Sequence, residues 1–135
     1  AVNIKTMTLN NIVTYAPGER ILKKGEKADK AFMIRSGTVR VYLRNKDKVL
    51  DLAKLGKDEI FGETSMFTDG EYGANVDALE ETELLEITDE SLKAMMDSAD
   101  PVLCAIVKML IKRLNETNSK LLESETREFM DIAFV

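Results

Sequence analysis

The chain is predicted to be mainly β-structure with flanking helices: short strands closing a barrel, a sandwich or a β-roll, then a short helix and a long C-terminal one. Three observations predict this. From Asn11 to Ile87 short apolar runs are broken by turn pairs such as Pro17-Gly18, Ser36-Gly37 and Gly56-Lys57, a spacing that fits tightly connected strands better than a parallel sheet. Val39, Val41 and Leu43 alternate with Arg40, Tyr42 and Arg44, the period of two that separates a buried face from a wet one. After Thr88 the apolar period lengthens to that of a helix, and no glycine follows Pro101.

Taken in order, residues 1–10 are a polar N-terminal arm. Ile12 to Tyr15 and Ile21 to Lys23 read as strands, with Lys24-Gly25-Glu26 as the turn that follows. Ala31 to Arg35 and Thr38 to Arg44 form the clearest hairpin, reversed at Ser36-Gly37. Val49 to Leu55 is the next strand, with Leu50, Leu52 and Leu55 expected to supply apolar contacts. Glu59 to Phe61, Asn75 to Leu79 and Glu83 to Ile87 complete the set. Thr88 can cap a helix whose first turn carries Asp89 and Glu90 and whose apolar face is Leu92, Met95 and Met96, acids being favoured at the positive end of the dipole.

Pro101 opens the long helix, as proline does at a first helical position. It is expected to span 99–128, with Leu103, Val107, Leu110, Leu114 and Leu121 spaced alternately by four and three. That stripe fits a coiled-coil seam between two copies of the chain, and Thr117 would be a polar seam position that fixes register. Residues 129–135 form an apolar tail expected to dock on this subunit or another. The domain organisation is thus an arm, a β-unit over 11–98, the long helix and the tail.

Composition narrows the chemistry. At 135 residues with 44% apolar side chains, one domain with one core is expected. The net charge of −5 argues against direct nucleic-acid binding. The charge is uneven, because the first 57 residues carry most of the Lys and Arg and the remainder most of the acids; attraction between the two halves is the simplest reading. The chain has no His, which removes Ser-His and Cys-His nucleophile pairs and the commonest metal ligand, so a non-enzyme without metal or bound cofactor is expected. With one cysteine, Cys104, no disulfide can form within the chain. No apolar run suits a membrane span and the N-terminus has no signal-peptide core, so no membrane association and a cytoplasmic location are expected.

The stretch that organises the chain runs from Ile60 to Val76. Phe61-Gly62-Glu63 reads as a strand end and tight turn, and Thr64 opens a helical turn. Unpaired N–H groups at a helix start attract anions, and a neighbouring Glu accepts from sugar hydroxyls. Recognition of a phosphorylated sugar is the chemistry suggested. No Lys or Arg occurs between Lys57 and Lys93, however, so the stretch brings no cation of its own.

Two signatures together carry a resemblance. Asp29-x-x-Phe32-x-Ile34-x-x-Gly37-x-Val39-x-Val41-Tyr42, and Phe61-Gly62-Glu63 followed by Ser65-Met66-Phe67, resemble the cyclic-nucleotide-binding domains of the catabolite activator protein and of the protein kinase A regulatory subunit, from about Asn11 to Lys120. The resemblance implies a cyclic-nucleotide-binding-like β-roll, a double-stranded β-helix or jelly roll, that acts as a regulatory ligand-sensing module for cyclic AMP or cyclic GMP. Glu63 and the Gly62 backbone would face the ribose 2′-hydroxyl, with Thr64 and Ser65 near the phosphate. The family's phosphate-gripping Arg and the small residue after it correspond here to Tyr72 and Gly73, a degenerate cassette. The lost charge-assisted bond is worth about 1.5–3 kcal/mol.

Three readings of that change stand side by side. Tyr72, Ser65 and helix N–H groups act as neutral donors with Arg or Lys of the basic half, Arg40 or Arg44 being candidates, reaching in; or the pocket takes a less charged ligand; or it is empty and the fold serves as a ligand-free interaction or oligomerisation module. In the activator branch the long helix is the dimer seam and a Thr-Ser pair on it reaches the base, which places Thr117 and Asn118 there. A helix-turn-helix would come next, and the sequence ends within a few residues, so a sensor half without that DNA-binding part is the further alternative.

Overall fold

The computed structural model describes residues 11–68 and 70–133, with side chains through Thr117. The expectations for residues 1–10, for the side chains of Asn118 and Leu121 and for the apolar tail's contacts lie outside the described residues. The chain divides into two compact units, residues 1–98 and 99–135.

The first unit is mainly β, two four-stranded antiparallel sheets with helices attached. The strands are β1 (Asn11–Tyr15), β2 (Arg20–Leu22), β3 (Lys30–Ser36), β4 (Val39–Asn45), β5 (Lys48–Leu55), β6 (Ile60–Phe61), β7 (Asn75–Ala78) and β8 (Thr82–Thr88). One sheet runs β1-β8-β3-β6 and the other β2-β7-β4-β5, so chain neighbours are mostly dealt to different sheets, as a roll requires. In the first sheet Ile34 pairs with Leu84 and Phe32 with Phe61. In the second, Val39 stands between Ala78 and Leu55.

Inward side chains of both sheets make the core. Ile34, Val39 and Leu84 are wholly buried, joined by Leu22, Phe32, Phe61 and Val76, and each large apolar side chain so buried contributes about 1.5–3 kcal/mol. The Phe32 and Phe61 rings stack with centroids 5.4 Å apart, which fixes the strand that leads into the cassette. Thr82 is also wholly buried, and its hydroxyl lies 2.9 Å from the Glu80 carbonyl and 3.1 Å from that of Thr38.

Ion pairs tie the two differently charged halves of the sequence together. Arg20 meets Asp77, Lys30 meets Glu86 and Arg35 meets Glu83, each joining a base of the first half to an acid of the second.

Two details depart from the alternation read in the sequence. Tyr42, expected on the wet face, is only 1% exposed. The β4–β5 register shifts between Val41 and Tyr42, and polar neighbours cover the ring: the Arg40 guanidinium lies 4.6 Å from its centroid, Arg20 donates to its hydroxyl at 2.8 Å, and that hydroxyl donates to Asp77 at 2.8 Å. Leu50 and Leu52, expected to supply apolar contacts, are 60% and 51% exposed, because β5 is the edge strand of its sheet.

After the short cassette helix α1 (Glu63–Phe67), α2 (Asp89–Asp97) follows β8 directly. Thr88 caps it in a reciprocal box: its hydroxyl accepts from the Ser91 N–H at 3.1 Å while Ser91 Oγ accepts from the Thr88 N–H at 2.9 Å.

The second unit is the helix α3 (Pro101–Ala133). Asp100 opens it by accepting from the Val102 N–H at 2.8 Å. Val102, Leu103, Ile106, Met109 and Leu110 are exposed, whereas Cys104, Val107 and Leu114 are half-buried. Among the described residues no helix is long and apolar enough to cross a membrane.

Candidate functional site

The cassette begins where β6 ends. Gly62 takes φ 82° and ψ −6° as N-cap of α1, the left-handed region that glycine enters without strain. A Cβ there would stand 3.2 Å from the Lys30 carbonyl oxygen and 3.5 Å from the Tyr72 ring, so both torsion and space call for glycine. The Met66 N–H donates back to the Gly62 carbonyl at 3.1 Å, and the Met66 side chain is buried beneath. Thr68 closes the turn, its N–H and hydroxyl both donating to the Thr64 carbonyl. No side chain caps the start of α1, and Glu63 stands at that end.

A strap from the β2–β3 connection holds the far side. The Gly25 N–H donates to the Tyr72 carbonyl and the Tyr72 N–H to the Glu26 carbonyl, each at 2.9 Å; the Ala28 N–H donates to the Gly70 carbonyl at 2.9 Å. The Lys24 N–H donates to Asn75 Oδ1 at 2.9 Å. In the sequence this strap reads only as a turn at Lys24-Gly25-Glu26. Asn75, a side-chain acceptor at the head of a strand, is the local signal for it.

Tyr72 is buried, and both hydrogen-bonding capacities of its hydroxyl are engaged by one residue. It donates to the Lys30 carbonyl at 2.7 Å and accepts from the Lys30 N–H at 3.2 Å. Burial pushes the phenol's pKa up, against the lowering effect of the bond to Lys30, so it is a neutral group at physiological pH.

Between these elements lies a cavity of about 260 Å³, just under the range typical of small-molecule sites, about 300–1,000 Å³. Gly62, Ser65, Tyr72 and Gly73 line it from the cassette. The rest of the lining is apolar: Leu22, Val41, Leu52 and Phe61, with Ala74 and Val76. This apolar wall was not legible as a site, since the same side chains read as ordinary core.

The structure therefore gathers four of the eight residues singled out from the sequence. Glu63 is half-buried and Thr64 exposed, and neither is among the cavity's lining residues. Thr117 is exposed on α3 in the second unit. Arg40 is not among the lining residues: it pairs with Asp51 and lies over Tyr42, in a depression of about 500 Å³ that adjoins the cavity at Leu52 and includes Lys54 and Leu79.

Comparison with known proteins gives this geometry its context. Residues 12–99 match the family described as "Cyclic nucleotide-binding domain". The cyclic AMP receptor protein of Thermus thermophilus is 32% identical over 110 residues, covering 79% of this chain and 50% of its own length. The cAMP-dependent protein kinase type II regulatory subunit of Drosophila melanogaster is 38% identical over 63 residues, 47% of this chain and 17% of that protein. Among solved structures, the half-site-occupied form of EAL enzyme Bd1971 superposes with a TM-score of 0.78 at 30% identity, covering 81% of this chain and 98% of that one. Its cAMP-bound form does so with a TM-score of 0.60 at 29% identity, over 92% of this chain and 34% of that one. The chain spans half or less of the length of these two curated relatives.

Proposed function

Because the chain belongs to the cyclic nucleotide-binding domain family, we propose that its β-unit is a non-catalytic ligand-sensing module with a degenerate phosphate cassette, and that a cyclic nucleotide or related molecule is what the cavity admits. The observation that carries this reading is the cavity itself, which brings Gly62, Ser65, Tyr72 and Gly73 to one concave place. Relatives named as a cyclic AMP receptor and as a kinase regulatory subunit support a regulatory role, and a neighbour solved with cAMP supports the ligand class. The lack of His supports the absence of catalysis, although the same domain occurs in a neighbour named as an enzyme.

In this reading the Gly62 backbone and Glu63 meet the ligand's sugar, Glu63 accepting from a hydroxyl, and Thr64 and Ser65 lie nearer the phosphate. Binding shifts the cassette toward whichever arrangement holds the ligand better. Calorimetry and thermal melts with cyclic AMP, cyclic GMP and cyclic dinucleotides test it. A ligand at a hundred times its Kd adds about 2.7 kcal/mol of stability, so a clear rise in Tm is expected. No heat and no shift at millimolar ligand would leave the fold as a ligand-free interaction module.

We also propose that α3 pairs two copies of the chain. Leu103 and Leu110, two seam positions, are exposed, and Val102, Ile106 and Met109 widen the stripe, a surface that a second apolar helix would bury.

A further inference from the structure

We infer that the cavity selects for the uncharged portion of its ligand, so that a neutral ring-bearing molecule of the nucleoside class binds at least as tightly as the corresponding cyclic phosphate. This rests on the sensing role proposed above and adds what the site discriminates. None of the described lining residues carries an ionised side chain at neutral pH. The polar groups offered among them are the Ser65 hydroxyl and backbone at Gly62 and Gly73, because the Tyr72 hydroxyl already donates to one Lys30 backbone group and accepts from the other.

Four cations of the β-unit are held in ion pairs, and Arg44 is exposed on β4 and is not among the described lining residues. Lys30, the base nearest Tyr72 along this contact, pairs with Glu86, while Arg20, Arg35 and Arg40 pair with Asp77, Glu83 and Asp51. Lys23, Lys24 and Lys27 on the strap are exposed and do not line the cavity, where water and salt screen them. Fixed acids flank the site instead, Glu63 at the start of α1 and Glu71 exposed beside Tyr72. A phosphate moved from water to this place would lose hydration and meet no cation among the described lining residues, whereas a planar ring gains apolar contact with Leu22 and Phe61. Tyr72 is the residue that sets this discrimination, since it lines the site with a side chain that is both neutral and spent.

The test compares, on the full chain, cyclic AMP and cyclic GMP with their neutral methyl phosphotriesters and with adenosine and guanosine, by calorimetry at low and high salt. At least one neutral compound is expected to bind, with no penalty against its anionic parent and little dependence of the ratio on salt. A cyclic nucleotide preferred about tenfold or more (about 1.4 kcal/mol), with the preference falling as salt rises, would overturn the inference while leaving the sensing role intact. Absence of binding by every compound at millimolar concentration would overturn both. The Tyr72→Arg variant is expected to move the anion-to-ester ratio about tenfold toward the anion; a folded variant with an unmoved ratio removes Tyr72 as its determinant. Should circular dichroism show that variant unfolded, the ratio measured on the unaltered chain still decides.

Discussion

Tyr72 and Lys30 are joined through a single phenolic oxygen, which donates to the carbonyl and accepts from the N–H of the same peptide-bearing residue 42 positions earlier in the chain. The contact locks the end of the cassette to the start of β3. Removing the hydroxyl while keeping the ring takes this partner from two part-buried backbone groups, which costs about 1–3 kcal/mol. The Tyr72→Phe variant should therefore be less stable by that amount in urea titrations with an unchanged m-value. A variant as stable as the parent would show that the contact contributes nothing net.

Stability should also fall in alkali. Burial is the main cause raising the Tyr72 and Tyr15 phenols, and the bond to Glu86 is the main cause raising the Lys30 ammonium. A group whose folded pKa lies above its unfolded value binds more protons folded than unfolded between the two, so stability there declines as pH rises. The contribution is complete below the unfolded values, about 10 for Tyr and 10.4 for Lys, and is lost as pH climbs from there through the folded ones. Melting temperatures should be flat from pH 8 to 9 and drop above about 10, with a shallower drop in Tyr72→Phe. A steeper drop in that variant would contradict the assignment.

How much of this was legible depends on how far each residue's partner lies along the chain. The short antiparallel strands were, because period-two strands and glycine turns are local: Ser36-Gly37 reads as a reversal, and Gly37 has φ 93°; that they close as a roll and not another barrel or sandwich came from the family resemblance alone. The cassette's position was legible from Phe61-Gly62-Glu63. The direction of the Tyr72 hydroxyl was not, since its partner sits on another strand, and the motif placed a ligand donor where the fold uses a latch. Tyr42 was misread for a related reason. Alternation assumes an unbroken register, and the shift at Val41/Tyr42 together with cover from Arg20 and Arg40 buries a ring that a regular strand would have left wet.

Two glycines should respond unequally to alanine. At Gly37 a Cβ would meet Thr82 Oγ1 at 2.5 Å and the Glu81 carbonyl oxygen at 2.6 Å, and Thr82 is wholly buried; at Gly62 the nearest atom is 3.2 Å away. Both positions have positive φ, a penalty of about 1–2 kcal/mol for alanine. Gly62→Ala should lose about that much, whereas Gly37→Ala should lose about 3 kcal/mol or more, the range reserved for substitutions the core cannot absorb. Equal midpoints for the two variants in urea would mean that the hairpin yields where the structure shows it wedged.

The helix α3 supplies the last prediction. Leu103 and Leu110 are seven residues apart, two helical turns along one face, and are 53% and 57% exposed; Ile106 and Met109 lie beside them at 52% and 47%. Such a stripe left in water forgoes the contribution that burial gives, about 1.5–3 kcal/mol for each large side chain, so pairing of two copies is favoured provided the helices meet along it. Sedimentation equilibrium should then return twice the 15.1 kDa mass of the chain. Leu110→Asp would place a carboxylate in the middle of the contact, where a buried unpaired charge costs several kcal/mol, and the mass should fall to that of one chain. Leu114→Asp, on the half-buried side of the same helix, distinguishes the two descriptions of the seam. If it dissociates the pair while Leu110→Asp does not, the contact runs along the Val107–Leu114 edge; if neither changes the mass, α3 is not what joins the copies.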